Sequence, residues 1–287
     1  MKANETQSWQ QILLQGTQEL TLAGVASPLV DAKYLIEEVV GMRIELAPPP
    51  TESQLHHFFG LLQRRKNREP LQHILGKMWF YGFELEAGPD VFSVRPETEL
   101  LAEAALKFLA SIPSRADDEP KIVLDLCTGS GAIALVLATS ATSPVEVYAV
   151  ELASRTAQVA ARNIAKYQAQ VNLVVGDALV ALPELIGKAD LVVANPPYVP
   201  LTHELSPEVL QDPPLALFGG GEEGLEFPRK LISRAYDLLR VGGALMMEHA
   251  DEQGLATREI AKNIGFSDPE TKTDLTGRDR WLLAYKR

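Results

Sequence analysis

Apolar positions in the first part of the chain recur three and four residues apart, as in Trp9, Ile12 and Leu13 and again in Ala32, Tyr34, Leu35, Ile36, Val39 and Val40. That spacing predicts amphipathic helices from Ser8 to about Arg68, interrupted at Pro48-Pro49-Pro50. After Pro70 the pattern turns aromatic and alternating, Met78 to Glu86, with a turn signal at Gly88-Pro89-Asp90, and predicts a β-hairpin. A helix over Thr98 to Leu109 and a polar break from Pro113 to Pro120 follow. From Lys121 onward short apolar runs alternate with helical ones. Strands are expected at Ile122–Leu126, Val145–Val150, Val171–Val175, Leu191–Ala194 and Ala244–Met247, with helices near Ala132, Ser154, Phe227 and Gln253.

Such alternation implies right-handed crossovers and an α/β fold, a mostly parallel sheet with helices on both faces. The expected organisation is a helical domain over 1–75, a hairpin linker over 76–97 and the α/β domain over 98–287. Ligands of such sheets lie beyond the carboxyl ends of the strands, so the residues that follow each strand carry the chemistry.

Composition narrows the function. A hydrophobic fraction of 46% and a charged fraction of 23% are those of a globular chain. No apolar run approaches the roughly 20 residues that span a bilayer. The start, Met1 to Thr6, lacks a signal-peptide core, so a cytoplasmic protein with no membrane partner is expected. The single cysteine, Cys127, closes no internal disulfide, and no Cys/His cluster has zinc spacing, so no metal is expected. With 27 Lys+Arg against 38 Asp+Glu the formal charge is -11, which disfavours a nucleic-acid substrate.

The first strand runs into Asp125-Leu126-Cys127-Thr128-Gly129-Ser130-Gly131 and opens a helix at Ala132. Glycines there let backbone approach a ligand, and the helix N-terminus favours an anionic group. Gly129, Gly131 and Ala134 also satisfy the dinucleotide fingerprint, so this loop alone suits a dehydrogenase and a methyltransferase equally. Two acids follow the next strands: Glu151, placed for ribose hydroxyls, and Asp177, placed for an adenine amino group. Asp125 either braces the loop or meets the amino end of a methionine moiety. Capping of the following helices is the plain alternative for each acid.

The fourth strand ends in Asn195-Pro196-Pro197-Tyr198. Two prolines remove two N–H donors and hold the loop extended. The Asn195 side-chain oxygen and the Pro196 carbonyl can then accept both protons of a substrate –NH2, with Tyr198 stacking on its planar group. Transfer from a sulfonium to such a nitrogen needs alignment more than a base.

Taken together, Arg68-Glu69-Pro70-Leu71-Gln72-His73-Ile74-Leu75-Gly76, Phe80-Tyr81-Gly82, Arg95-Pro96-Glu97-Thr98-Glu99-Leu100-Leu101, Asp125 to Ala134, Asn195 to Tyr198 and Asp274-Leu275-Thr276-Gly277-Arg278-Asp279-Arg280 resemble the N-type class-I methyltransferases. Within these the chain is similar to the protein-glutamine N5-methyltransferases of HemK/PrmC type. The resemblance implies a Rossmann-like domain with a seven-stranded sheet and methyl transfer from S-adenosylmethionine. The target it implies is the glutamine in the Gly-Gly-Gln loop of class-1 peptide chain release factors, by an enzyme expected to be monomeric.

It also implies that Cys127, Thr128, Gly129, Ser130, Gly131, Glu151, Asp177, Ala178 and Asn195 line the methyl donor, and that Asn195, Pro196, Pro197 and Tyr198 hold the glutamine. Arg95 and Glu97 either shape the substrate mouth or mark a helix N-terminus. The chain departs from the family pattern at Val94, Cys127 and Ala178. Because cysteine disfavours positive φ, a slightly different turn is expected at Cys127.

Arg64-Arg65-Lys66-Asn67-Arg68 reads first as a solvated helix face and second as a contact for an acidic partner or ribosomal RNA. His56, His57 and His249 read as structural. Gly219-Gly220-Gly221-Glu222-Glu223-Gly224 is expected as a flexible loop. Rival functions are a ribosomal-protein glutamine methyltransferase, an adenine-N6 methyltransferase, and a non-catalytic NAD-binding or scaffold protein.

Overall fold

A computed structural model describes residues 8–113 and 119–287. The readings made on Met1 to Thr6, and on 114–118 of the polar break, lie outside the described residues. The chain forms two compact units. The first runs to Lys77 and takes in Leu205–Gln211; the second holds Met78–Glu204 and Asp212–Arg287. The hairpin expected as a linker thus goes with the second unit.

In the first unit, helices α1 (Trp9–Leu22), α2 (Pro28–Val40), α3 (Glu52–Lys66) and α4 (Leu71–Leu75) pack around Trp9, Ile12, Leu35, Phe58 and Leu62. Ser8 and Thr51 open α1 and α3 with capping boxes closed by Gln11 and Gln54. Gly16 lets α1 and α3 approach, since a Cβ there would lie 3.0 Å from the Phe58 ring.

The basic run is a solvated face only in part, with Arg64 and Asn67 exposed and Arg65 buried. Arg64 pairs with Glu69, Lys66 with Glu19, and Arg65, 5% exposed, with both Asp31 at 2.7 Å and Glu208 at 3.0 Å. Arg68 also pairs with Glu208. Apart from the local Glu69, carboxylates remote in sequence neutralise these side chains, and for Arg65 they are needed because a buried guanidinium without a partner is costly.

The second unit opens at Met78, one residue into a hairpin of β1 (Lys77–Phe80) and β2 (Phe83–Glu86). It reverses at Tyr81-Gly82, φ 50° and 84°, and the turn signalled at Gly88-Pro89-Asp90 follows it, where the Gly88 carbonyl accepts the Val91 N–H at 3.1 Å. Two positive-φ residues make a tight turn whose twist matches the strands, and the Glu99 carboxylate accepts the Tyr81 N–H at 2.7 Å.

After α5 (Pro96–Ser111) come β3 (Lys121–Leu126), α6 (Ala132–Ser140), β4 (Val145–Glu151), α7 (Ser154–Lys166), β5 (Val171–Val175) and β6 (Ala189–Ala194). The short α8 (Pro214–Leu217), α9 (Glu226–Leu238), β7 (Leu239–Glu248), α10 (Gly254–Ile264), β8 (Ser267–Thr273) and β9 (Asp279–Tyr285) complete it. The sheet has seven strands in the order β5-β4-β3-β6-β7-β9-β8. All pairs are parallel except those of β9 with β7 and β8.

Successive β3 residues feed opposite cores. Val123 packs with Leu101, Ala105 and Leu135 on one face; Leu124 and Leu126 pack with Leu231, Ala235 and Ile260 on the other. Both faces being covered, β3 and β6 are wholly buried, which is why they read as unbroken apolar runs.

Candidate active site

The strand order reverses at β3: the chain steps out through β4 to β5 and returns to the other side as β6. Such a reversal splays the loops that leave the two central strands and opens a crevice. The register pairs Leu126 with Ala194, so the Gly-rich loop and the Asn-Pro-Pro-Tyr loop leave the sheet side by side.

The β3 loop turns on three left-handed residues, Cys127, Gly129 and Gly131, with φ 65°, 58° and 81°. The cysteine takes the strained conformation, which costs a non-glycine residue about 1–2 kcal/mol. At Gly131 the left-handed φ is what calls for glycine, since a Cβ there would make only ordinary contact, 3.4 Å from that of Ala160. Asn163 of α7, 1% exposed, donates to the Ser130 carbonyl and ties the loop from outside.

Asp125 lies beneath the loop. Its Oδ2 accepts from Thr128 Oγ1 at 2.6 Å and from the Ala134 N–H at 3.0 Å, whereas the buried Oδ1 has no partner among the described residues. Burial, opposed by those hydrogen bonds and aided by nearby Glu151, pushes its carboxyl up to about 7.

Glu151, at the end of β4, accepts from the Gly129 N–H at 3.0 Å and the Ala153 N–H at 2.9 Å, and burial raises its carboxyl. Asp177 accepts the Leu179 N–H at 2.9 Å. A cavity of about 370 Å3 lies over these residues, a size usual for small-molecule sites, which run from about 300 to 1,000 Å3.

Of the expected residues, the cavity wall contains Cys127, Thr128, Gly129, Ser130, Glu151, Asp177, Ala178, Asn195 and Pro197. It does not contain Asp125, Gly131, Pro196, Tyr198, Arg95 or Glu97. Arg95 pairs with buried Asp212 at 3.0 Å and stacks over Phe92; Glu97, in the first turn of α5, lies 3.9 Å from Arg280.

At the end of β6, Asn195 Nδ2 donates to Thr98 Oγ1 at 3.3 Å. Among the described residues no donor reaches Asn195 Oδ1 or the Pro196 carbonyl, so both remain available as acceptors. Tyr198 Oη donates to Glu248 Oε1 at 3.1 Å, and burial with that carboxylate pushes the phenol well above its ordinary range.

The Gly-rich stretch is not a loose loop; it packs on this backbone. The Val199 carbonyl accepts the Gly219 N–H, and a Cβ at Gly224 would lie 2.2 Å from the Tyr198 carbonyl oxygen. Gln253 Nε2 bridges the Tyr198 and Glu223 carbonyls at 2.8 and 2.7 Å.

Thr98, Glu248 and Gln253 escaped the sequence reading as site residues. Glu248 closes β7 and was accessible to the same rule, a polar residue at the carboxyl end of a central strand, that singled out Glu151 and Asn195. Among the described residues no group of three or more His, Cys, Asp and Glu could hold a metal ion, and no helix is long and apolar enough to cross a membrane. His56 and His57 are exposed on α3; His249 is buried against the Ala250 carbonyl, and burial lowers its imidazole.

Two family models match, the PrmC N-terminal domain over residues 11–76 and the methyltransferase small domain over 85–222. A release factor glutamine methyltransferase of Corynebacterium glutamicum is 41% identical over 96% of this chain and 97% of its own. One of Streptomyces coelicolor is 44% identical over 95% and 96%. A 4-amino-L-phenylalanine/4-methylamino-L-phenylalanine methyltransferase of Streptomyces pristinaespiralis is 37% identical over 85% of this chain and 83% of its own. Among solved structures, a T. thermophilus 16S rRNA N2 G1207 methyltransferase with AdoMet and guanosine shares the fold, with TM-score 0.52 and 23% identity over 74% of this chain and 50% of its own.

Proposed function

The chain belongs to the release factor glutamine methyltransferase family, and from that premise we propose that it methylates N5 of the glutamine in the Gly-Gly-Gln motif of a class-1 peptide chain release factor. The observation that carries the reading is the pair of free oxygens, Asn195 Oδ1 and the Pro196 carbonyl, beside a cavity walled by the Gly-rich loop.

The residues present fit S-adenosylmethionine. Glu151 presents a carboxylate to the cavity, Asp125 braces the loop from beneath through Thr128 and Ala134, and the space a Cβ of Gly129 would occupy is open. When bound, this cofactor supplies an activated methyl group. The protein then has to hold the target nitrogen. An amide nitrogen is a weak nucleophile because its lone pair is delocalised into the carbonyl. Asn195 Oδ1 and the Pro196 carbonyl accept its two N–H bonds and aim the lone pair into the cavity, and such positioning alone can lower a barrier by about 7 kcal/mol or more. One of the two held protons is released as the product forms.

The match of the N-terminal segment to the PrmC N-terminal domain supports a release factor over a ribosomal protein or a free amino acid. The charge of -11 and the internally neutralised Arg64 to Arg68 run speak against nucleic acid. We place the enzyme in the cytoplasm as a monomer that needs no metal. The test is mass spectrometry of release factor incubated with enzyme and labelled donor. One methyl on the Gly-Gly-Gln glutamine, absent with Asn195→Ala, is expected; methyl on DNA or on a ribosomal protein instead would overturn the reading.

A further inference from the structure

A carboxamide is nearly symmetric in shape and opposite in polarity at its two ends, so Asn195 turned by half a rotation about its last bond would offer –NH2 to a substrate –NH2. Some neighbour has to decide between the two poses. We propose that Thr98 and Glu248 are positioning residues that lock the polarity of Asn195, an inference that rests on the role given to Asn195 above.

The lock follows from counting hydrogens. Thr98 has one hydroxyl proton, and its oxygen lies 2.7 Å from Glu248 Oε2 and 3.3 Å from Asn195 Nδ2. An ionised carboxylate only accepts, so Thr98 must donate to Glu248. The threonine lone pairs are then all that remains for Asn195, which must answer with its N–H and leave Oδ1 for the target. On the other side of the carboxylate, Tyr198 donates to Oε1 at 3.1 Å, so the last residue of the Asn-Pro-Pro-Tyr loop is fixed by the same group.

Thr98 is 5% and Glu248 3% exposed, which leaves little room for water to exchange these roles. The fold supplies the alignment. The register of β6 with β7 pairs Ala194 with Met247, which sets Asn195 beside Glu248, and the first turn of α5 delivers Thr98 between them.

The experiment follows the Asn195 side-chain amide in 15N-labelled full-length protein, assigned by its loss in Asn195→Asp, together with release-factor kinetics. Thr98→Val keeps the shape and deletes the hydroxyl; Thr98→Ser restores it. The hydrogen-bonded Nδ2 proton is expected in the wild type and Thr98→Ser, and absent from Thr98→Val. In step with it kcat should fall on the order of tenfold in Thr98→Val and recover in Thr98→Ser, with binding of S-adenosylhomocysteine unchanged. Glu248→Gln, which offers a donor where only an acceptor belongs, should lower kcat in the same way. Wild-type kcat in Thr98→Val, or Asn195 resonances that do not move, would overturn the lock. If those resonances respond as expected while the wild type leaves release factor unmethylated, the polarity lock stands and the substrate assignment alone is refuted.

Discussion

The guanidinium of Arg68 and the carboxylate of Glu208 form a two-pronged ion pair, Nε to Oε1 at 2.6 Å and Nη2 to Oε2 at 2.7 Å. The same Oε1 accepts from buried Arg65 at 3.0 Å. Glu208→Ala therefore deprives two cations at once. Arg65 keeps Asp31, and the Arg68 side chain, 25% exposed, recovers part of its loss in water, so the destabilisation is discounted to about 1–3 kcal/mol. Urea denaturation should show the midpoint fall, with Glu208→Gln in between; an unchanged midpoint would contradict the account.

The polarity lock gives methyl transfer a pH dependence. Burial raises the Glu248 carboxyl to about 7, opposed by hydrogen bonds from Thr98 and Tyr198, with Glu97 raising and Arg280 lowering it from outside. Above that point Glu248 accepts both hydroxyls; below it one oxygen carries a proton and competes as a donor. kcat should decline as pH falls through about 7, and this limb should vanish in Thr98→Val.

Folding stability should run the opposite way. In the unfolded chain Glu248 and Asp125 ionise near 4.5 and 3.8, whereas in the folded protein both reach about 7. Between those values the folded state binds more protons, so their stabilising contribution, complete at low pH, is lost as pH rises through the folded values. The thermal midpoint of Glu248→Gln relative to wild type should therefore rise from pH 5 to pH 8, a range that covers most of the interval between the unfolded 4.5 and the folded value of about 7. A difference that shrinks over that range would refute this.

Gly224 sits at φ 72°, with its missing Cβ aimed at the Tyr198 carbonyl. Gly224→Ala must displace the Asn-Pro-Pro-Tyr backbone or distort its own. A loss of about 2–4 kcal/mol is expected by differential scanning calorimetry, with reduced kcat. Gly82→Ala, also at positive φ but with nothing within 4 Å of its Cβ, should cost less.

Cys127 lines the cavity, but burial and the surrounding Glu151, Asp125 and Asp177 push its thiol well above the ordinary range. Thiolate is the reactive form. Alkylation by iodoacetamide at pH 8 should be far slower than for a free thiol, and Cys127→Gly should keep activity while relieving the left-handed strain. Rapid labelling would count against this picture.

The parallel core was legible because strands covered on both faces are apolar throughout, as in Ile122–Leu126 and Leu191–Ala194. β8 was not, since Ser-Asp-Pro-Glu-Thr-Lys-Thr is polar and carries Pro269, which an edge strand tolerates without showing any alternation. The Asn-Pro-Pro-Tyr loop declared itself through its prolines. Thr98 was quoted only as part of a motif, because its role depends on a carboxylate 150 residues away. The partners of Arg65 and Arg68 were equally hidden, as no local pattern joins α3 to a glutamate 140 and more residues later.

The segment Leu205–Gln211 leaves the α/β unit a few residues after Tyr198 and comes back at Asp212, spending the interval among the helices of the other unit. Anyone building chimeras between relatives therefore faces two grafts. Exchanging only the residues before Met78 would strand Glu208 opposite foreign helices, so a swap of recognition modules must carry this short excursion along with its arginine partners.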